Sequence, residues 1–164
     1  MNMRNCRKMR RQNGITMVES LVALVVISVG MLGIAGLYLS SMQASRTAKL
    51  RSHAVELTSS IADRIRANRD AVASYSLAAD GTPSTQNCDT ARCTPQALAQ
   101  DDLARWLADV RAALPGADAV TGTVTVTDRA APESDNYVIA VSWREANSDI
   151  DFAYSVSLNI ANAT

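Results

Sequence analysis

The sequence predicts an α+β fold: one long N-terminal helix, a small C-terminal antiparallel sheet of about three or more strands, and a second helix. Three observations predict it. Residues 20–45 contain no charged side chain. An apolar stripe at helical spacing continues beyond them, and no proline occurs before Pro83. After residue 119, apolar and polar residues alternate with period two, the signature of strands with one buried face.

The long helix is expected over residues 15–72, with 15–39 as its membrane and assembly segment. The run L-V-A-L-V-V-I-S-V-G-M-L-G-I-A-G-L-Y-L meets the roughly 20 apolar residues that a spanning helix needs. Glu19 stands at its head. A carboxylate near a span costs on the order of 2.5–3.5 kcal/mol if held ionised at the bilayer centre, and less near an interface, so such a charge usually has a partner. Gly30, Gly33 and Gly36 recur at three-residue spacing. They suit close helix packing in lipid, or a segment that unwinds locally, since each lowers helix propensity by about 0.8–1 kcal/mol relative to Ala.

Beyond the span, Leu50, Ala54, Leu57, Ile61, Ile65 and Val72 continue one stripe, with Asn68 filling a step. Charged residues from Arg46 to Arg69 mark the other faces. At 1.5 Å per residue such a helix is roughly 85 Å long, too long to be buried in a body of about ninety residues. Its first half must pack against lipid or against similar helices.

Residues 73–164 are expected to form the globular part with the second half of that helix. Residues 74–93 are polar and contain Asp80-Gly81 and Pro83, which reads as loop. Thr94 is a suitable N-cap and Pro95 a suitable first residue for the second helix. Leu98, Leu103, Trp106, Leu107, Val110 and Leu114 line its apolar face, and Pro115-Gly116 stops it. Three strands follow. One carries Val120, Val124 and Val126, the next Tyr137, Ile139, Val141 and Trp143, and the last Phe152, Tyr154, Val156, Leu158 and Ile160 on a single face. Polar linkers around 128–136 and 144–151 separate them. The amphipathic helix is the expected cover for the sheet.

Charge is unevenly placed on a chain of 164 residues with zero net charge. Arg4, Arg7, Lys8, Arg10 and Arg11 give residues 1–14 five basic groups and no acidic one. From Asp70 onward there are five Lys/Arg against thirteen Asp/Glu. An acidic body disfavours nucleic-acid binding, which relies on phosphate neutralisation. The basic prefix is expected on the cytoplasmic side of a membrane. If the body is periplasmic, Cys88 pairs with Cys93 as a disulfide and Cys6 stays on the reducing side. The competing metal reading has no nearby His and no second Cys pair. No cofactor motif or phosphate loop occurs. His53 is the only histidine, and nothing marks a nucleophile beside it, so an enzyme is not expected.

The stretch R-R-Q-N-G-I-T-M-V-E-S-L-V-A-L-V-V-I at 10–27 resembles the prepilin signature of type IV pilins. Gly14, Ile15, Thr16, Met17, Val18 and Glu19 match it in order. Ile15 departs from the Phe of many major pilins, and the span lacks the proline often found there; both lean away from a major subunit. The resemblance implies a type IV pilin-like fold. It implies that prepilin peptidase cuts between Gly14 and Ile15, removes the 1–14 leader, and methylates the new amine of Ile15. It further implies that Glu19 forms an assembly salt bridge with the N-terminal amine of a neighbouring subunit. An unpaired charge in a low-dielectric place is expensive, so this pairing would select register.

Further segments are similar to the PilV-type minor pilins. They are I-A-D-R-I-R-A-N-R at 61–69, C-T-P-Q-A-L-A-Q-D-D-L-A-R-W at 93–106, L-P-G at 114–116 and W-R-E at 143–145. That similarity implies a low-abundance subunit, anchored in the inner membrane with its N-terminus cytoplasmic and its body periplasmic, and then carried into a cell-surface pilus. The implied partners are prepilin peptidase, other minor and major pilins, the inner-membrane pilus assembly machinery and a tip adhesin. The implied uses are pilus priming, adhesion and twitching motility. A minor pseudopilin of a type II secretion system shares the leader and the assembly physics and is the alternative. An ordinary secretory signal peptide would instead be cut after the apolar run, near Gly36.

Overall fold

A computed structural model describes residues 14, 16–116, 119–127, 134–145 and 149–161, without the side chain of Val72. Most of the leader and Ile15 lie outside the described residues. The elements run in the order helix α1 (Met17–Ala67), a 3-10 helix (Arg69–Tyr75), helix α2 (Pro95–Ala113) and strands β1 (Thr121–Thr127), β2 (Ser134–Arg144) and β3 (Asp151–Ala161). This is a type IV pilin-like α+β fold. The chain divides into two units, one up to Ser45 and one from Arg46. Each is described by itself.

In the second unit, α1 buries Ala54, Thr58, Ile61, Ala62 and Ile65, with Leu50 and Leu57 packed at the margin. Thr58 is polar yet buried because its hydroxyl donates to the Ala54 and Val55 carbonyls, which satisfies a group that would otherwise be desolvated without a partner. The helix stops at Ala67, five residues short of the expected Val72. Asn68 leaves helical geometry at φ −115°, ψ 62°, and its amide donates to the Pro95 carbonyl at 2.8 Å and to the Tyr75 hydroxyl at 3.2 Å. These tertiary bonds replace the helical turn that apolar spacing alone suggested.

The 3-10 segment carries Tyr75 into the core, where its hydroxyl donates to Asp102 on α2 at 2.9 Å. Arg64 of α1 reaches the same carboxylate at 3.2 Å. Burial, first of all, and the neighbouring Asp102 push the Tyr75 phenol far above its ordinary range, with the Asn68 bond opposing. Helix α2 begins as its sequence demands: the Thr94 side chain accepts from the Ala97 amide and Pro95 occupies the first turn. Its buried face presents Ala99, Leu103, Trp106, Leu107 and Val110. The Trp106 indole N–H donates to the Leu57 carbonyl of α1 at 2.9 Å, tying the two helices together.

The sheet is antiparallel in the order β1-β2-β3. Strand β2 pairs with β3 without a break from Ser134↔Ala161 to Arg144↔Asp151. The expected linkers are therefore shorter than composition suggested, because Ser134–Asn136 already belong to β2. Val120, Val124, Tyr137, Ile139, Val141, Trp143, Leu158 and Ile160 join the helical residues in one core. Trp143 stacks on Phe152 with ring centroids 6.0 Å apart.

Gly122 sits where β1 meets α2. A Cβ there would come within 2.9 Å of the Trp106 ring, a rigid group that cannot flex away. Gly122→Ala is expected to lower stability by about 1–3 kcal/mol through overpacking, read as a lower denaturant midpoint with an unchanged slope.

Candidate functional site

Thr16 precedes the first helical residue and acts as the cap of α1. Its side-chain oxygen accepts from the Glu19 amide at 3.3 Å, and its carbonyl accepts from the Ser20 amide at 3.3 Å. Thr16-Met17-Val18-Glu19 is thus a Thr-x-x-Glu start signal, legible in the sequence but not read there as a cap. It puts Glu19 in the first turn, where unpaired amides favour a negative charge. Glu19 is exposed and has no ion pair among the described residues. Gly14 is exposed too, with open space around its α-carbon. The structure thus puts Gly14 two residues before the cap and Glu19 three residues after it; Ile15 lies outside the described residues.

The rest of this unit is helix, and its described residues up to Ser45 are exposed. Sixteen large apolar residues from Met17 to Met42 are 54–91% exposed. Fully burying each Val, Leu, Ile or Met is worth about 1.5–3 kcal/mol, so this surface requires cover. The helix is long and apolar enough to cross a membrane. It runs unbroken through Gly30, Gly33 and Gly36, and no heavy atom approaches where their β-carbons would be. Such positions admit another helix at close range.

In the second unit, Cys88 and Cys93 form a disulfide, with 5.6 Å between their α-carbons. The loop around it is pinned by Asp101, which sequence reading passed over. Asp101 is 2% exposed. It accepts from the Gln86 and Asn87 amides at 2.8 and 3.1 Å and pairs with Arg105 at 2.8 Å. Arg105 also binds Asp89 at 2.6 Å. The signal was present in D-D-L-A-R, an acid four residues before a base on one helix face. Asn87 adopts the left-handed region at φ 53°, which Asn tolerates better than most residues.

The Gln86 amide, foremost, then the Asn87 amide and Arg105 hold the Asp101 carboxyl below the usual carboxylate range, against the opposing effect of burial. With a folded pKa below the ordinary value near 3.9, the unfolded chain binds more protons in this window, so stability rises with pH. The contribution is fully present above about pH 4 and is lost as pH falls through the lower folded value. Asp101→Asn is expected to lower stability by about 1.5–3 kcal/mol at pH 7, a gap that narrows in thermal melts as pH falls below about 4.

His53 lines a shallow cleft of about 500 Å³ with Glu56, Leu57, Ser60 and Asp109. Among the described residues no hydrogen bond joins His53 to Ser60 or Asp109, and no group of three His, Cys, Asp or Glu is arranged to hold a metal.

Residues 9–35 match the prokaryotic N-terminal methylation motif. Residues 36–104 match the family described as type IV pilin Tt1218. No curated protein and no solved structure matches the chain.

Proposed function

We propose that this chain, with a type IV pilin match over residues 36–104 and a methylation motif ahead of it, is a minor pilin of the PilV type. In this reading prepilin peptidase cuts between Gly14 and Ile15, discards the basic leader and methylates the amine of Ile15. The mature subunit waits in the inner membrane, N-terminus cytoplasmic and body periplasmic. It then leaves lipid for a pilus, primes assembly with other minor pilins near the tip, and helps seat an adhesin. Family proteins of this kind are structural, and no catalytic step is assigned.

One observation carries the reading: a capped helix whose first turn holds a single exposed acid and whose next 26 residues carry no charge and are exposed among the described residues. Lipid and sister helices both satisfy that surface. The acid favours sister helices, because in this reading the processed amine of an assembling neighbour would give it a fixed cation away from water.

Gly14→Ala places a side chain where a peptidase must approach the backbone closely. Processing is expected to slow at least tenfold, about 1.4 kcal/mol in the barrier, seen as accumulation of the longer form on gels. N-terminal sequencing of the mature protein should begin at Ile15; a start beyond Gly36 would overturn the reading. Deleting the gene is expected to remove surface pili and twitching. Loss of exoprotein secretion with pili intact would instead identify a type II secretion pseudopilin.

A further inference from the structure

Strand β3 ends the sheet in a way β1 does not. On the β1 side, Leu77 closes the edge, donating its amide to the Val124 carbonyl at 2.8 Å and accepting from the Val124 amide at 3.0 Å. On the β3 side, no described residue bonds the outer backbone groups of Asp151–Ala161. That is eleven residues of regular strand. Folded proteins usually guard such an edge with lysine, proline, a bulge or an inward charge. Strand β3 has none of these: its register with β2 is unbroken. Its only charged residue, Asp151, is held by two bonds from Arg144, at 2.7 and 3.0 Å.

Burial also falls off one strand early. On the inner face of β2, Tyr137, Ile139, Val141 and Trp143 are all 0–1% exposed. Their neighbours Phe152, Tyr154 and Val156 on β3 remain half-buried, while Leu158 and Ile160 are buried. The outer face of β3 is Ala153, Ser155, Ser157, Asn159 and Ala161, small side chains that leave the edge open to approach.

We infer that the β3 edge from Phe152 to Val156 and beyond receives an extended segment of a different protein chain. That segment is uncharged, with a large apolar side chain at every second position. Main-chain bonds supply its affinity, and alternate side chains complete the cover over Phe152, Tyr154 and Val156. The absence of free charge on this edge selects a neutral strand. A second copy of this chain does not fit. Its β1 edge is interrupted at its centre, Val124, by Leu77, and a β3–β3 pair is two-fold symmetric, whereas subunits of a growing filament all point the same way. This last exclusion rests on the proposed assembly into a pilus.

The test uses the full chain in its own cells, with a photo-crosslinking residue at Ala153, Ser155, Ser157 or Asn159 in turn. Each is an exposed outer-face position, so the fold is spared. Crosslinked residues on the partner should move along one segment by two per step, ascending for a parallel strand and descending for an antiparallel one. Val156→Lys should cut the Ser157 adduct at least about tenfold by placing a charge in the new interface. Adducts to this chain itself, scattered partner positions, or no adduct in subunits recovered from sheared pili would each overturn the inference. Periodic adducts from a chain never found in pili would sink the filament reading and leave the strand contact standing.

Discussion

Replacing Glu19 with Ala should leave the chain in the membrane and almost remove it from pili. The substitution takes away the only charge between the leader and Arg46, so insertion in lipid becomes easier. In the filament proposed above it would strand the terminal amine of a neighbouring subunit without its partner. Removing one member of a buried pair costs about 3–5 kcal/mol, equivalent to at least a hundredfold at 1.4 kcal/mol per decade. The measurement is the ratio of subunit in sheared filaments to subunit in membranes, by quantitative mass spectrometry. Glu19→Gln separates charge from shape and should fail nearly as badly. Normal incorporation of either variant would remove the salt bridge from the account. Thr16→Ala provides a contrast, since it loses only the cap of α1 and should weaken incorporation far less.

Trp106→Ala should be the most damaging change in the body, lowering stability by about 3–5 kcal/mol. Trp106 is 1% exposed, faces Gly122 of β1 across a close contact, and donates to the Leu57 carbonyl of α1. One side chain therefore joins α1, α2 and the sheet. Truncation opens a cavity and removes the indole bond, leaving the Leu57 carbonyl with its helical partner alone. Trp106→Phe keeps most of the volume and should recover more than half of the loss. Denaturant unfolding of the full chain in detergent, followed by near-ultraviolet circular dichroism, gives both values. Equal losses in the two variants would mean that the indole bond, and not packing, dominates.

Much of this was legible beforehand because it depends on spacing. The α2 cap at Thr94-Pro95, the stop at Pro115-Gly116 and the single-faced alternation of Tyr137 to Trp143 are local rules, and the structure follows them. The disulfide followed from two cysteines isolated in a polar loop. Other features depend on residues far apart in sequence. Asn68 sits on a helical interval and keeps its backbone bond to Arg64, but its side chain is drawn to Pro95 and Tyr75 and the backbone leaves the helix there. Asp101 drew no notice in the sequence, because its role depends on the loop at 86–87 folding over it. Gly122 carried no signal in the strand pattern, because only the packed structure brings the Trp106 ring to where its β-carbon would be.

By itself, the amino-acid order determined the apolar rod, the acid at its head, the element types and the face each one buries, since these follow from periodicity and from charge placed along one chain. Tertiary structure alone decided where α1 ends, how the bridged loop is held by Asp101, and which edge of the sheet stays open. Those outcomes turn on competition among distant donors and acceptors for partners, and that competition is settled only when the chain has closed on itself.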